Sequence, residues 1–325
     1  QTEADLAFEG RTRAYTHHLM QVVDHHMDVL VSFQAMFRVN GQVDQDTFQA
    51  HYQALQVASE YPALLAVQYA PLIKQAERDD FVRKMRQRYP EYRVMPEGER
   101  EVYLPVTYNL PMAGNQSVFG YDMAFEPVRR QVMEEARDSG RPQVSPPIKL
   151  IQGGQEPLAL LVRLPLYRHG SPTGTEAERR AAFAGAVSGV IRIADLVTQT
   201  GQAWSDWHLR IDDTLADEQS VLFDSAHGKA PNTFRPAENV QAADQRSASL
   251  GVGSRHWTLT YTRQPVAALT QPFPLALLIG GLLGSCALFA LLQAAASRHA
   301  RAAAMATRLN KQASDSEARL RSVVD

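Results

Sequence analysis

Histidines and aspartates near the start of the chain have the spacing at which several side chains could act together. They stand three, four and seven positions apart: His17, His18, Asp24, His25, His26 and Asp28. This spacing places side chains on one face of a helix, where they could form a metal site or a pH-sensitive site. No second cluster of ligands follows downstream. The pattern therefore favours a solvated helix face without metal, with His26 as a polar position in an apolar seam.

The sequence has no motif typical of a catalytic or cofactor site. It contains no Gly-x-Ser-x-Gly, His-Glu-x-x-His or Cys-x-x-Cys arrangement. Gly153 and Gly154 predict a hairpin turn, because a strand follows them where phosphate binding would need a helix. Glu134 and Glu135 fall on adjacent helix faces and are not expected to act together. We therefore expect no catalytic residue and no cofactor in this region.

Composition narrows the class of protein further. The formal net charge is −2 and the pI about 6.6, so no basic field for nucleic acid exists. The single cysteine, Cys286, lies in an apolar segment and leaves no partner for an intramolecular disulfide. This composition suits a bacterial periplasm better than a secreted disulfide scaffold.

A transmembrane helix is predicted near the C-terminal end. The run from Gln264 to Ser297 carries no charge, and its apolar part, Phe273 to Leu292, has twenty residues. At ~1.5 Å per residue this length covers the ~30 Å core of a bilayer. More basic residues follow the segment than precede it closely, namely Arg298, Arg301, Arg308 and Lys311 against Arg255 and Arg263. The positive-inside rule then predicts a bacterial inner-membrane protein with residues 1–263 in the periplasm and its C-terminus in the cytoplasm.

The first forty residues predict one long helix with an apolar seam. Seam positions step by four and three: Leu19, Val23, His26, Leu30, Phe33 and Phe37. Such a seam packs against a partner chain or against its own domain, and we expect the first, a parallel homodimer. Because Gln1 is not a methionine, we also expect an upstream segment, for which a first membrane helix or a signal anchor would fit.

Short strands and helices follow and predict an α+β sensor domain from about 60 to 195 and a second, smaller block. Strands are expected at 64–69, 102–108, 148–152, 158–167 and 185–193, helices at 47–59, 75–89 and 127–139, and an exposed loop at 170–180. The second block has strands at 209–212, 221–224 and 257–261, with residues 226–247 as a loop. After the membrane segment, 300–325 is expected to be helical.

Several short motifs resemble CHASE domains in their order along the chain. They are Gln68-Tyr69-Ala70-Pro71, Glu77 to Phe81, Tyr103 to Val106, Gly120-Tyr121-Asp122, Ala136 to Gly140, Pro146 to Leu150 and Pro165-Leu166-Tyr167. CHASE domains are extracytoplasmic sensory modules of histidine kinases, diguanylate cyclases and cytokinin receptors. The resemblance covers most of residues 15–295 and implies a long stalk helix, two PAS-like domains and a membrane helix. The expected division is 1–58 stalk and linker, 59–197 membrane-distal ligand-binding domain, 198–263 membrane-proximal domain, 264–297 transmembrane segment and 298–325 cytoplasmic signalling helix.

The resemblance also implies a ligand site in the membrane-distal domain. In the cytokinin-binding branch, an aspartate at the position of Asp122, beside Tyr121, contacts an adenine-type ligand. A carboxylate in this apolar segment needs donors, which either a ligand or a protein partner such as Arg78 would supply. Other matching pocket positions are Tyr103, Ile151 and Gly189.

Arg163 departs from the family pattern, because the plant receptors carry a small hydroxyl residue at this position. An arginine that faces a pocket suits a carboxylate or phosphate, whereas one that faces out is an ordinary surface charge. Alternation along the strand does not decide between them, since Leu161 shares the face of Arg163. The ligand is therefore expected to be adenine-type or anionic, with Asp122 and Arg163 holding its opposite ends.

These observations predict the small-molecule sensor region of a transmembrane receptor that signals across the membrane. The alternative is a structural or dimerisation anchor without a ligand, and a third interpretation is a chemoreceptor. Residues 300–325 resemble a signalling helix that leads into a PAS module beginning near Leu320. The output would lie beyond residue 325, as a histidine kinase or a cyclic-di-GMP enzyme.

Overall fold

The computed structural model describes residues 3–148, 158–200, 207–214, 220–225, 245–263 and 272–321. The chain divides into two compact units, Gln1–Gln264 and Pro265–Asp325.

The first unit is a mixed helix and sheet structure that begins with a helix of 38 residues. Its helices are α1 (Glu3–Asn40), α2 (Gln45–Ala54), α3 (Val57–Glu60), α4 (Arg78–Arg86), α5 (Pro127–Ser139), α6 (Glu176–Ala182) and α7 (Ile193–Thr198). Its first seven strands are β1 (Leu64–Pro71), β2 (Ile73–Lys74), β3 (Val102–Tyr103), β4 (Tyr108–Leu110), β5 (Gln143–Val144), β6 (Ala159–Tyr167) and β7 (Phe183–Arg192). The remaining strands are β8 (Trp207–Asp213), β9 (Ser220–Asp224), β10 (Gln245–Val252) and β11 (Arg255–Arg263).

A five-stranded antiparallel sheet lies between α1 and α5. Its strand order is β4-β1-β7-β6-β5, and β2 pairs separately with β3. Alternate residues of the strands point to opposite faces. On one face Val162 and Leu164 join the core that contains Leu30 and Phe33 of α1. On the other face Ala70 and Ala186 pack with Met133 of α5.

The four-stranded sheet packs against the N-terminal half of α1. Its order is β10-β11-β8-β9, and the ring of Tyr15 meets those of Trp207 and Tyr261 edge-on, at 5.4 and 6.1 Å between centroids. Arg263, the last residue of β11, donates to the Asp5 carboxylate at 3.1 Å. Helix α1 therefore contacts both sheets and joins them into one core.

The seam of α1 is buried within its own chain, which corrects the expected homodimer interface. All six seam positions are at most 6% exposed. Phe33 packs on Phe48 of α2, and the ring of Phe37 stacks on Tyr69 of β1 at 4.5 Å. The seam therefore packs against its own domain rather than against a partner chain. A partner chain would have to bind another surface.

Four local predictions also differ from the structure. The expected strand at 102–108 is two separate strands, β3 and β4, which pair with different neighbours. The expected loop at 170–180 contains α6, which starts at a capping box formed by Thr175 and Glu178. Residues 245–247, expected in a loop, begin β10, whereas 226–244 lie outside the described residues. The expected helix at 75–89 is a 3-10 turn followed by the shorter α4.

The second unit is one continuous helix, α8 (Pro272–Arg321). Its stretch Leu277–Arg308 is long and apolar enough to cross a membrane by length and composition. The first residues of the expected transmembrane segment, 264–271, and the last residues of the expected signalling helix, 322–325, lie outside the described residues. Boundaries of the expected domains and their PAS-like character stay predictions.

Candidate functional site

A row of polar side chains crosses the five-stranded sheet on the face opposite α1. Strand pairing aligns one polar residue from each strand, in the order Asn109, Gln68, Ser188, Arg163 and Gln143. The first four are at most 5% exposed. Gln68 donates to the Asn109 side-chain oxygen at 3.2 Å, so that end of the row is satisfied internally.

Arg163 is the charged member of this row and is almost completely buried. Its Nη1 contacts the sulfur of Met123 at 3.1 Å, and its Nε has no hydrogen-bond partner in the described part of the chain. No ion pair to a described carboxylate satisfies it. Burial, and to a lesser extent the charge of Arg129, lowers the pKa of the Arg163 guanidinium to about 9. It therefore stays positively charged at neutral pH.

A cavity of about 30 Å³ lies against Arg163. Its polar lining consists of Gln68, Tyr121, Arg129 and Arg163. The apolar lining is Val106, Val118, Met123, Ile148, Leu161 and Val190. This volume is close to that of a single water molecule, so a larger ligand needs side chains to move.

Arg129 brings a second positive charge to the cavity. It lies in the first turn of α5, where the Glu126 carboxylate caps the helix by accepting from Val128 N at 3.2 Å and Arg129 N at 2.9 Å. The side chain of Arg129 is 13% exposed, and its Nε is 3.9 Å from that capping carboxylate. Its guanidinium lies over the Tyr121 ring at 5.7 Å. Burial lowers the pKa of Arg129 as well.

Asp122 has no exposed surface and does not line this cavity. Its carboxylate accepts from Arg100 Nη1 and from the backbone N–H groups of Leu104 and Ala124, each at 3.0 Å. Arg100, rather than the expected Arg78, is thus its partner. The arrangement expected from the sequence, in which Asp122 and Arg163 share one cavity, is not present.

Tyr103 belongs to the same cluster as Asp122. Its hydroxyl donates to Gly98 O at 3.0 Å and accepts from Arg100 N at 2.9 Å, and the Arg100 guanidinium lies over its ring. Arg78 lies at 5.7 Å from the same ring centroid. These contacts fix the segment that carries Tyr121 and Met123 to the cavity.

Gly189 lies on the opposite face of the sheet, towards α1. A β-carbon there would be 2.4 Å from Leu30 Cδ1, so glycine permits the close approach of helix and sheet. Ile151 lies outside the described residues. Of the six expected site residues, Arg163 and Tyr121 are therefore brought together at the cavity.

Sequence reasoning missed Gln68 and Arg129 as members of the site. Gln68 interrupts an otherwise apolar strand, which is a usable signal for an inward polar residue. Arg129 has no comparable signal, because it is followed by Arg130 at the exposed start of an amphipathic helix.

The histidines of α1 do not assemble into a metal site in the described residues. His26 is buried, with its Nδ1 2.7 Å from Val22 O and its ring edge-on to Tyr61. The ring of His25 stacks on the ring of Tyr61, with 4.8 Å between the centroids.

Comparison with known proteins identifies the family. The CHASE domain model matches residues 41–223. A rice protein (Oryza sativa subsp. japonica) described as Probable histidine kinase 4 is 28% identical over 156 residues, which are 48% of this chain and 15% of that protein. The chain thus spans about a seventh of this relative's length.

The fold is similar to that of a bacterial sensory domain. The periplasmic sensory domain of the Campylobacter jejuni chemoreceptor Tlp1 is 13% identical, with a TM-score of 0.50 over 80% of this chain and 94% of that one. The ligand-binding domain of the Pseudomonas aeruginosa PAO1 amino acid chemoreceptor PctC, in complex with GABA, is 12% identical, with a TM-score of 0.49 over 81% of this chain and 100% of that one. The chain belongs to the CHASE-domain family, and its sheet-rich part is an extracellular sensory module rather than a catalytic domain.

Proposed function

We propose that the chain is the extracytoplasmic sensor region of a transmembrane signalling receptor and that it binds a small anionic molecule at Arg163. The observation that carries this proposal is a buried guanidinium without an acidic partner among the described residues. An unpaired buried charge costs several kcal/mol, so an isolated arginine in this position is unfavourable unless a ligand neutralises it. A carboxylate or phosphate fits the planar fork of arginine.

The surrounding residues support an anion more than an adenine-type ligand. Asp122, which would contact adenine nitrogens, is fully occupied by Arg100 and two backbone donors. The cavity presents Arg129, the Tyr121 side chain and the Gln68 amide instead. Asp122, Arg100 and Tyr103 act in this proposal as positioning residues for the segment that closes the cavity.

Signal transmission would pass through α1 and the membrane helix. Ligand binding on one face of the five-stranded sheet would shift strands that pack on α1, which also contacts the four-stranded sheet. The chain then leads from β11 to α8 and, beyond it, to a histidine kinase or cyclic-di-GMP enzyme. Residues 1–263 would lie in the periplasm of a bacterium and the C-terminal end of α8 in the cytoplasm. A homodimer would form through surfaces other than the buried seam.

The test is binding of small anions to the purified chain in detergent. Titration calorimetry with malonate, phosphate and acetate should give saturable binding that is lost in the variant Arg163→Gln. Arg163→Lys, which keeps the charge but not the planar fork, should bind more weakly than wild type. Saturable binding of adenine with no binding of any anion would overturn the proposal.

One observation favours a second candidate, a structural anchor that binds no ligand. The cavity of about 30 Å³ is small, and Met123 already occupies the space beside the guanidinium. In that case no small molecule would bind, and Arg163→Met would stabilise the chain by removing a buried charge. A lower unfolding temperature in Arg163→Met, together with anion binding in wild type, would exclude the anchor.

A further inference from the structure

Two guanidinium groups share the cavity, and none of the described residues that line it is acidic. Arg163 and Arg129 both contribute to its wall, with Gln68 and Tyr121 as the other polar members. Among the described residues, the carboxylate nearest to Arg129 is that of Glu126, 3.9 Å from its Nε, with a side chain 39% exposed. Because Glu126 already caps α5 by accepting two backbone N–H groups, it compensates Arg129 only weakly.

These two positive charges indicate how much negative charge a ligand in the cavity needs. Two buried positive groups repel each other strongly where water is excluded. A monoanion would neutralise one of them and leave the other uncompensated, whereas a dianion would neutralise both. Each arginine also offers a fork of N–H donors that matches two oxygen atoms of a carboxylate or phosphate.

The size of the site limits the ligand as well. The cavity is about 30 Å³, so most of the space for a ligand must come from residues that move. Met123 is suited to this, because its sulfur lies 3.1 Å from Arg163 Nη1 and 3.5 Å from Ser188 Oγ, and a thioether is a weak acceptor for both donors. Its unbranched side chain can rotate away when a stronger acceptor arrives.

We propose that the ligand is a compact dianion, a short dicarboxylate or a phosphate, that bridges Arg163 and Arg129 and displaces the Met123 side chain. This inference rests on the proposed function, since it specifies the ligand class of the same site. Arg163 contacts oxygen atoms of the ligand at the sheet surface, and Arg129 contacts other oxygen atoms from α5. The ligand thereby joins the helix to the sheet.

The experiment compares dianions with monoanions on the full chain in detergent. Calorimetric titrations use malonate and phosphate against acetate, in a buffer free of other multivalent anions. Wild type should bind at least one dianion about 10- to 100-fold more tightly than acetate, the range expected for added charged hydrogen bonds. Malonate and phosphate together show whether dicarboxylates, phosphates or both are accepted.

Arg129→Gln separates this inference from the proposed function. It should weaken dianion binding about 10- to 100-fold and weaken acetate binding much less, because acetate has no second anionic charge for Arg129 to neutralise. Arg130→Gln is the matched control, because Arg130 is the exposed neighbour on the same helix and should affect neither anion. Equal affinities of wild type for malonate, phosphate and acetate would overturn the dianion and leave the anion site intact. An equal loss of malonate and acetate binding in Arg129→Gln would overturn it too. Absence of all anion binding would overturn both.

Discussion

Replacing Gly189 by alanine tests the close contact between α1 and the five-stranded sheet. The added methyl group would lie 2.4 Å from Leu30 Cδ1 and 2.8 Å from its Cδ2. Carbon atoms in ordinary contact are about 3.5–4.0 Å apart, so helix and sheet would have to separate by about 1 Å or Leu30 would have to change rotamer. Because Leu30 is completely buried, neither adjustment is free. Overpacking of this kind costs about 1–3 kcal/mol.

The assay is thermal unfolding of the chain in detergent, followed by circular dichroism. Each kcal/mol should lower the unfolding temperature by roughly 2–4 °C for a domain of this size. Leu30→Ala alone should cost about 2–5 kcal/mol. In the Leu30→Ala variant, Gly189→Ala should cause little further loss of stability, because the Leu30 carbons that it would clash with are absent. Gly251→Ala is the control, since a β-carbon at Gly251 meets no atom within 4 Å. An unchanged unfolding temperature in Gly189→Ala, or an equal penalty with and without Leu30, would refute the packing argument.

Asp122→Ala should lower the free energy of unfolding by about 3–5 kcal/mol, because it leaves the buried Leu104 N–H and the partly buried Arg100 guanidinium without their acceptor. An unchanged midpoint in chemical denaturation would contradict this. Burial lowers the pKa of His26 below its usual value of 6.5. The neutral form of His26 therefore contributes its full stability above pH 6.5, and this contribution is lost as the pH falls from 6.5 towards the pKa of the folded state. His26→Gln should therefore lose less stability than wild type between about pH 7 and about pH 5, and identical pH profiles would show that His26 does not titrate. A reporter fused after Lys311 should be active in the cytoplasm, and activity in the periplasm would reverse the proposed topology.

Elements with local sequence signals were predictable. Helix α5 has proline at its first position and Gly140 in a left-handed conformation at its end, and both signals act within the helix itself. Strand β6 was found because its nine residues are apolar apart from Arg163. The length of α1 followed from an uninterrupted seam that ends at Gly41. In each case the sequence signal lies within the element or directly at its end, so no contact with a distant segment is needed to predict it.

Contacts between distant segments were not predictable in the same way. A buried seam has the same pattern whether its partner is another chain or its own sheets, so the burial of Phe33 and Phe37 could not be assigned to either. Arg163 lies on a strand buried on both faces, where alternation gives no direction. The partner of Asp122 is Arg100, 22 positions earlier, in a segment without regular structure. Only the folded chain shows which donor reaches that carboxylate.

Two consecutive residues of β7 lie on opposite faces of the sheet, one towards the candidate ligand site and the other towards α1. Ser188 belongs to the polar row and lies opposite Arg163, whereas Gly189 faces Leu30 on α1. A ligand that draws Arg163 and α5 together would act on β6, which pairs with β7, the strand that carries Gly189 against α1. Because a well-packed interface resists small displacements, a shift of β7 would pass directly to the helix. Helix α1 carries this contact to Tyr15, which packs against the four-stranded sheet. In the proposed mechanism, Gly189 would contribute to signalling through the packing of the sheet on α1, although it lies outside the cavity.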